Sequence, residues 1–287
     1  MLPFWKYHGL GNDFVMFDGR DKSPSPLHRL TPKIIQALCD RHIGIGADGV
    51  IVADQASGGH FRMTYFNADG RQAEMCGNGL RCIVALLRDL GEDMARINQI
   101  LTSDSTILTQ AMPDGMIRNT MPSPAFRGIE GIPSADDPQL ISTITVGDRQ
   151  FKGVIVSIGN PHFVIPAKIT LDQLLVWGPR IETHPEFPHR TNVQFVEFLD
   201  RSNIRIQVWE RGVGRTLACG SGATASAVTS VALGKVDAGK DITVEMDGGT
   251  LLINVSPDLR EIWLQGPAKF VFKGELAREG VWHELVS

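Results

Sequence analysis

Two short phrases in the chain set a thiol beside flexible, unshielded backbone: Cys76-Gly77-Asn78-Gly79 and Cys219-Gly220-Ser221-Gly222. Both have the form Cys-Gly-polar-Gly, and they lie 143 positions apart in 287 residues. Each follows a strand-like run and opens a helix-like one. A cysteine on the first turn of a helix faces unpaired N–H groups and the positive end of the dipole, which favour its thiolate. The ordinary thiol pKa of about 8.5 moves toward neutral pH in such a place. The glycines let a ligand approach the backbone, and the N–H groups there suit a carboxylate. With an amino-acid carboxylate held so, a thiolate on one face of the α-carbon can remove its proton while a thiol on the other face supplies one. The carbanion's charge spreads into the carboxylate, where the same N–H donors stabilise it most in the transition state.

The flanks of the two phrases match as well. Residues 61–66 and 204–209 alternate as strands with one inward face do, and nine residues separate each run from its cysteine. Asn67 and Glu210 therefore stand at equivalent strand ends, each with a glycine-containing turn behind it. After Cys76, Leu80, Ile83, Val84, Leu87 and Leu90 keep helical spacing up to Gly91. After Cys219, residues 223–233 are small and apolar almost all round, the pattern of a helix buried in the middle of its domain. Gly11-Asn12-Asp13-Phe14 and Gly159-Asn160-Pro161-His162-Phe163 add a third correspondence, 65 and 60 positions before their cysteines. Duplication is the economical account, with one site built between two similar halves.

Residues 112–138 are rich in proline and glycine, and the boundary between the halves is placed at their centre, near Met121. Strand-like segments recur at 14–17, 50–52 and 101–108, then at 141–146, 153–157, 192–198, 242–246, 250–255 and 261–264. Many strands around few helices read as α+β rather than βαβ winding. A content of 43% hydrophobic and 21% charged residues suits a globular protein, and a net charge of -4 argues against nucleic acid as a partner. No stretch approaches about 18 uninterrupted apolar residues, so no membrane partner is expected and a cytoplasmic location is.

Other chemistries fit less well. Four cysteines without a Cys-x-x-Cys pair suggest neither a disulfide framework nor zinc, and no metal is assigned. Cys39, read inside a helix at 34–39, and Cys82, one and a half turns beyond Cys76, suit buried structural thiols. No Gly-Lys-Ser/Thr follows either phrase, which removes a P-loop. The lysines sit in no recognisable Schiff-base context for pyridoxal phosphate. Asparagines beside glycine or proline also suit plain turns, and Glu210-Arg211 a solvated pair. Either cysteine alone would suit packing at a tight turn, but packing does not require the same thiol twice. A thiol-bearing binding or redox protein, whose cysteines bridge on oxidation, stays open.

Taken in order, His8-Gly9-Leu10-Gly11-Asn12-Asp13-Phe14, Gly44-Ile45-Gly46-Ala47-Asp48-Gly49, Phe66-Asn67-Ala68-Asp69-Gly70, Met75-Cys76-Gly77-Asn78-Gly79, Gly159-Asn160-Pro161-His162, Thr191-Asn192, Glu210-Arg211-Gly212 and Ala218-Cys219-Gly220-Ser221-Gly222 resemble the diaminopimelate epimerase family over nearly the whole chain. The resemblance implies an isomerase without cofactor that interconverts LL- and meso-2,6-diaminopimelate, on the route to lysine and peptidoglycan precursors. It also implies two pseudo-symmetric lobes, each a curved, mostly antiparallel sheet wrapped around a central helix, with the active site in the cleft between them. Residues 1–120 would carry Cys76, with 267–287 returning to that lobe, and residues 121–266 would carry Cys219.

Carried over by resemblance, Cys76 and Cys219 are the two acid/base residues, and Gly77, Asn78, Gly220 and Ser221 hold the reacting carboxylate. Asn12, Asn67, Asn160, Asn192, Glu210 and Arg211 hold the substrate, especially its distant amino-acid end. An arginine fork suits a second carboxylate, and a carboxylate such as Glu210 suits a second ammonium. His162 is placed beside the cysteines to assist a thiol's ionisation, with Glu210 also assisting. The family is compatible with a homodimer. Two positions depart from its pattern. Arg215 stands where an acidic residue is usual, which puts a local ion pair in doubt. Gly49 stands where some members carry glutamine, which leaves only backbone for a contact. The nearest alternative is a proline or hydroxyproline racemase-type enzyme; its substrate lacks the second amino-acid end, and it typically has histidine where this chain has Asn78.

Overall fold

A computed structural model describes residues 1–20, 25–73, 76–103 and 105–277. Met75, and the part of the expected returning segment at 278–287, lie outside the described residues. The elements begin with β1 (Leu2–Gly9), β2 (Asn12–Asp18), α1 (Pro32–Cys39), β3 (Gly49–Gln55), β4 (Phe61–Asn67), β5 (Gln72–Ala73), α2 (Gly77–Asp89), β6 (Gln99–Leu101), β7 (Thr106–Ala111), β8 (Ile117–Met121) and β9 (Ala125–Phe126). They continue with β10 (Ser142–Val146), β11 (Arg149–Ser157), β12 (Pro161–Ile165), α3 (Leu171–Glu182), β13 (Asn192–Phe198), β14 (Asn203–Glu210), β15 (Gly214–Arg215), α4 (Gly220–Ala232), β16 (Asp241–Met246), β17 (Gly249–Val255), β18 (Ile262–Gly266) and β19 (Lys269–Leu276). This is a mixed α+β chain in which strands outnumber helices. It divides into two compact units, 1–119 with 266–287, and 120–265.

Strand pairing in the first unit runs β19, β1, β2, β3, β4, β6, β7, β8. In the second it runs β10, β11, β12, β13, β14, β16, β17, β18. In each series the third and fifth pairings are parallel and the rest antiparallel: β2 lies parallel to β3 and β4 to β6, as β12 does to β13 and β14 to β16. A two-residue strand, β5 or β15, closes antiparallel on β4 or β14. The repeat of the cysteine phrases is thus a repeat of the whole pairing scheme.

Each sheet wraps a helix. α2 packs against β1, β2, β3, β4 and β19, and α4 against β11, β12, β13, β14, β16 and β17. In the first unit Phe14, Met16, Ile51 and Ala53 join Leu80, Ile83, Val84 and Leu87 of α2 in one apolar cluster. Their neighbours Val15, Phe17, Val50 and Val52 face the other way, onto Ile34, Ile35 and Leu38 of α1. Strands covered on both faces read as continuous apolar runs, which is the pattern at 14–17 and 50–52. α4 is buried nearly all round, and two of its serine hydroxyls bond back within the helix: Ser226 Oγ donates to Gly222 O at 2.8 Å and Ser230 Oγ to Ser226 O at 2.6 Å.

Three expectations differ in detail. The single strand expected at 101–108 is a hairpin, because Thr102 and Ser105 close a turn through Thr102 N–H to Ser105 O at 2.8 Å and through their hydroxyls at 2.9 Å. Cys39 is the last residue of α1 rather than an interior one. It is buried, with burial pushing its thiol up to about 12, and burial also raises the Cys82 thiol. The proline- and glycine-rich stretch around Met121 contains β8.

Helix α3 is not among the elements expected from the sequence, since Gly178 and Pro179 interrupt its pattern. Its signal is the capping box, in which Thr170 Oγ1 accepts from Gln173 N–H and Gln173 Oε1 accepts from Thr170 N–H. Gly178 faces the indole of Trp209, and a Cβ there would lie 2.7 Å from two ring atoms. Helix propensity favours Gly178→Ala by about 1 kcal/mol, whereas overpacking costs about 1–3 kcal/mol. The clash should win: urea denaturation of Gly178→Ala is expected to show a net loss of about 1–2 kcal/mol, and a stabilised variant would contradict this packing.

Candidate active site

Cys76 and Cys219 occupy the same local place in their units. Cys76 caps α2 with φ -138° and ψ 114°, its Sγ accepting from Gly79 N–H at 3.4 Å. Cys219 caps α4 with φ -134° and ψ 113°, its Sγ accepting from Gly222 N–H at 3.3 Å. Helix starts prefer the oxygens of Ser, Thr, Asp or Asn, and sulfur is a weak acceptor. Folding alone would therefore not select cysteine twice. A Cβ added to Gly77 would meet nothing within 4 Å, whereas one on Gly79 would meet Ile51 at 2.7 Å and one on Gly222 would meet Gln194 at 2.9 Å. A Cβ at 79 or 222 would press on the end of a neighbouring side chain, whereas the backbone at 77 is open.

Around Cys76 the polar groups form an ordered chain. Asn12 Nδ2 donates to Asp48 at 2.8 Å, which turns its Oδ1 toward Asn78 Nδ2 at 3.2 Å and the Cys76 thiol at 3.7 Å. Asn78 is buried, and its Oδ1 accepts from Arg81. Behind Asn12, Asp13 pairs with Lys6 and Arg41 at 2.7 Å each, and Arg41 also reaches Asp48 at 2.8 Å. Burial alone would raise the Asp13 carboxyl, but bonds from Arg41 and Lys6 overcome this and hold it at about 2. Asn67, exposed at the end of β4, accepts at Oδ1 from the Tyr65 hydroxyl at 2.7 Å. Gly49 pairs with Asn67 in register, and a Cβ there would lie 2.6 Å from the Tyr65 ring. That ring fills the space a side chain at 49 would need.

Around Cys219 a second chain runs inward. Cys219 Sγ lies 3.5 Å from Ser221 Oγ, which accepts from Asn160 Nδ2 at 3.4 Å. Asn160 Oδ1 lies 2.8 Å from His162 Nε2, and His162 Nδ1 lies 3.1 Å from Gln194 Oε1. Gln194 Nε2 is buried without a partner. Turning that amide over gives His162 Nδ1 a donor and fixes the ring proton on Nε2, which then donates to Asn160. Burial pulls the His162 pKa down to about 4, and the Arg211 charge adds to this. His162 thus stays neutral, reaches the thiol only through Asn160 and Ser221, and orients Asn160. The Cys219 thiol is raised well above its ordinary range, first by burial and then by the Glu210 carboxylate, against weaker lowering by Ser221 and the Gly222 N–H.

Asn192 is divided between two backbone groups: Nδ2 donates to Pro161 O at 2.9 Å and Oδ1 accepts from Arg211 N–H at 3.0 Å. It brackets the strand start and the 210–212 turn, which leaves one proton and one lone pair of its amide. Glu182, absent from the sequence reading, holds the same turn by accepting from Trp209 Nε1 and from Gly212 N–H, both at 2.8 Å. Glu210 accepts from the Thr216 hydroxyl, and the Arg211 side chain is exposed. Arg215 pairs with Asp247 at 2.6 Å, so an ion pair is made there with a basic residue at 215. Polar residues at buried positions, Gln194 in β13 and Arg81 in α2, are the signals that would have marked the inner network in sequence. Among the described residues no group of three His, Cys, Asp or Glu side chains could hold a metal ion.

The family profile described as diaminopimelate epimerase matches residues 4–115 and 154–271. Diaminopimelate epimerase 1 of a Nostoc species is 42% identical over 285 residues, spanning 96% of this chain and 99% of that protein. A phenazine biosynthesis protein of the PhzF family from Bacillus anthracis superposes with a TM-score of 0.67 at 18% identity, over 96% of this chain and 99% of its own. A hydroxyproline epimerase from Agrobacterium vitis, with trans-4-hydroxy-L-proline bound, superposes with a TM-score of 0.68 at 15% identity, over 99% and 94%. At such identities the two structures share the fold with this chain.

Neutral His162 has a measurable consequence. Its native pKa of about 4 lies below the unfolded value of about 6.5. Between these values the unfolded chain binds a proton that the native protein cannot, so this contribution to stability is complete above about pH 6.5 and is lost as the pH falls toward about 4. Urea midpoints of wild type should drop more steeply from about pH 7 to about pH 5 than those of His162→Gln; equal slopes would show that the ring is protonated in the fold.

Proposed function

The chain belongs to the diaminopimelate epimerase family, and from that premise we propose that it interconverts LL- and meso-2,6-diaminopimelate, in lysine and peptidoglycan precursor synthesis, through one thiolate and one thiol. The observation that carries this reading is the matched pair of sulfurs, each capping a buried helix whose first N–H groups point toward it. One thiolate takes the α-proton and becomes a thiol. The other thiol gives its proton to the opposite face and becomes a thiolate. The stereocentre inverts, and the two sulfurs exchange protonation states.

The helix-start N–H groups at Gly77, Asn78, Gly220 and Ser221 suit the reacting carboxylate, which takes up charge as the α-carbon loses its proton. Because the Asn78 side chain is committed to Arg81 and Asn12, its part falls to the backbone. Glu210, beside Cys219 and Thr216, keeps that sulfur protonated and suits an ammonium. The exposed Arg211 suits the distant carboxylate, with Asn12, Asn67, Asn160 and Asn192 shaping the binding surface. The two proton transfers need only the sulfurs, so no cofactor is assigned. Among the described residues no helix is long and apolar enough to cross a membrane; a cytoplasmic enzyme, with a second copy of itself as a candidate partner, completes the reading.

The test follows the α-hydrogen of LL-diaminopimelate in deuterated water with reduced protein. Wild type should exchange it and form the meso isomer, while Cys76→Ala and Cys219→Ala should each lose epimerisation by about 10²–10⁴-fold. Robust turnover by either variant would refute the two-sulfur mechanism, and activity on proline but not diaminopimelate would replace the substrate.

A further inference from the structure

Five positions beyond each sulfur the two helices differ: Arg81 in α2, Thr224 in α4, both wholly buried. They do one job in common. Arg81 Nη1 donates to Gly77 O at 3.2 Å, and Thr224 Oγ1 donates to Gly220 O at 2.9 Å. A hydroxyl suffices for that bond, so the guanidinium charge in the first unit calls for another explanation. Burying it is costly, and placing it near a helix N-terminus sets it against the positive end of the dipole. Gly9 makes the room, since a Cβ there would come within 3.2 Å of Arg81 Nη2.

Arg81's remaining bonds go to neutral acceptors, Asn78 Oδ1 and Pro267 O. Among the described residues no carboxylate pairs with it. Among the described residues, the other charged or titratable groups on the surrounding elements are engaged or neutral. Lys6 on β1 and Asp13 on β2 pair with each other, and Arg41 and Asp48 pair between α1 and β3. His8 on β1 accepts from Gly11 N–H, and the Cys82 thiol is raised by burial. Burial pulls the Arg81 pKa down to about 10, with the Cys82 and Cys76 sulfurs acting to raise it, which leaves it cationic at neutral pH.

Building on the epimerase reading, we propose that Arg81 is a positioning residue that makes the two sulfurs unequal: its buried charge, tied to the start of α2 through Gly77 and Asn78, holds Cys76 as the thiolate, while Cys219 beside Glu210 rests as the thiol. The resting enzyme then takes the α-proton at Cys76 and delivers one from Cys219. After turnover Cys76 carries the proton and Cys219 the charge. Loss of the proton from Cys76 to solvent and uptake of one by Cys219 restore the resting state.

The test needs no substrate, which separates it from the test of the reaction itself. Iodoacetamide labelling of the free protein is mapped by mass spectrometry at each cysteine from about pH 5 to about pH 9. Cys76 should label at least about tenfold faster than Cys219 near neutral pH. Arg81→Met should lower the Cys76 rate about tenfold and move its profile to higher pH, while Arg81→Lys should restore both. Arg81→Gln, which keeps a donor for Gly77 O without the charge, makes the same comparison if the methionine variant does not fold. Equal profiles at the two cysteines, faster labelling at Cys219, or a folded uncharged variant with an unchanged Cys76 profile would each overturn the proposal.

Discussion

The bond on which everything else depends is the weakest kind of helix cap, a backbone N–H given to sulfur. An oxygen would start α2 and α4 more firmly, so stability is given up at the point where reactivity is needed. The sheet then has to supply the stability that the cap does not. Wrapping five strands about α2 and six about α4 buries both helices and fixes where their first turns point. Burial also removes competing water from those turns, which strengthens every partial charge aimed at a bound anion.

Within a common scaffold the two units are charged differently. The first has a closed cluster of Lys6, Asp13, Arg41 and Asp48 behind Asn12, with a buried guanidinium at the helix. The second has a neutral relay from Gln194 through His162 and Asn160 to Ser221, with Glu210 at the sulfur. The same fold thereby sets a buried guanidinium at the helix of one thiol and a carboxylate beside the other. Duplicated geometry and divergent electrostatics are what a reaction with one acid and one base requires.

The helix starts and most strands were legible because they rest on local signals: glycine beside cysteine, apolar runs, and helical spacing ended by Gly91 and Gly234. The hairpin after β6 was not, because the apolar residues on either side suit one continuous strand and the short polar break at Thr102 and Ser105, a turn-type composition, is closed by their mutual hydrogen bonds. α3 was hidden by Gly178 and Pro179, whose place is set by the Trp209 ring rather than by helix preference. At the site, the cysteines could be named from the repeat, but the inner partners could not. Gln194 and Arg81 stand out only as polar residues in otherwise buried elements, while the partners of Gln194 and Glu182 lie in segments far apart in sequence, which single-residue properties do not reveal. His162 shows the same limit from the other side, since its neutrality comes from burial that the sequence does not record.

β19 takes in the first unit the place that β10 takes in the second, yet it is encoded after the whole second unit. During synthesis the later unit can therefore complete its sheet from contiguous chain, while the earlier one waits for its outermost strand. Until residues 269–276 emerge, the edge of β1 stays open, and the apolar faces of Phe4 and Tyr7, later covered by Phe272 and Phe270, lack those ring contacts. The half of the molecule made first is thus the half finished last, and an unpaired strand edge exposed for that interval is the hazard a ribosome-bound chaperone would have to manage.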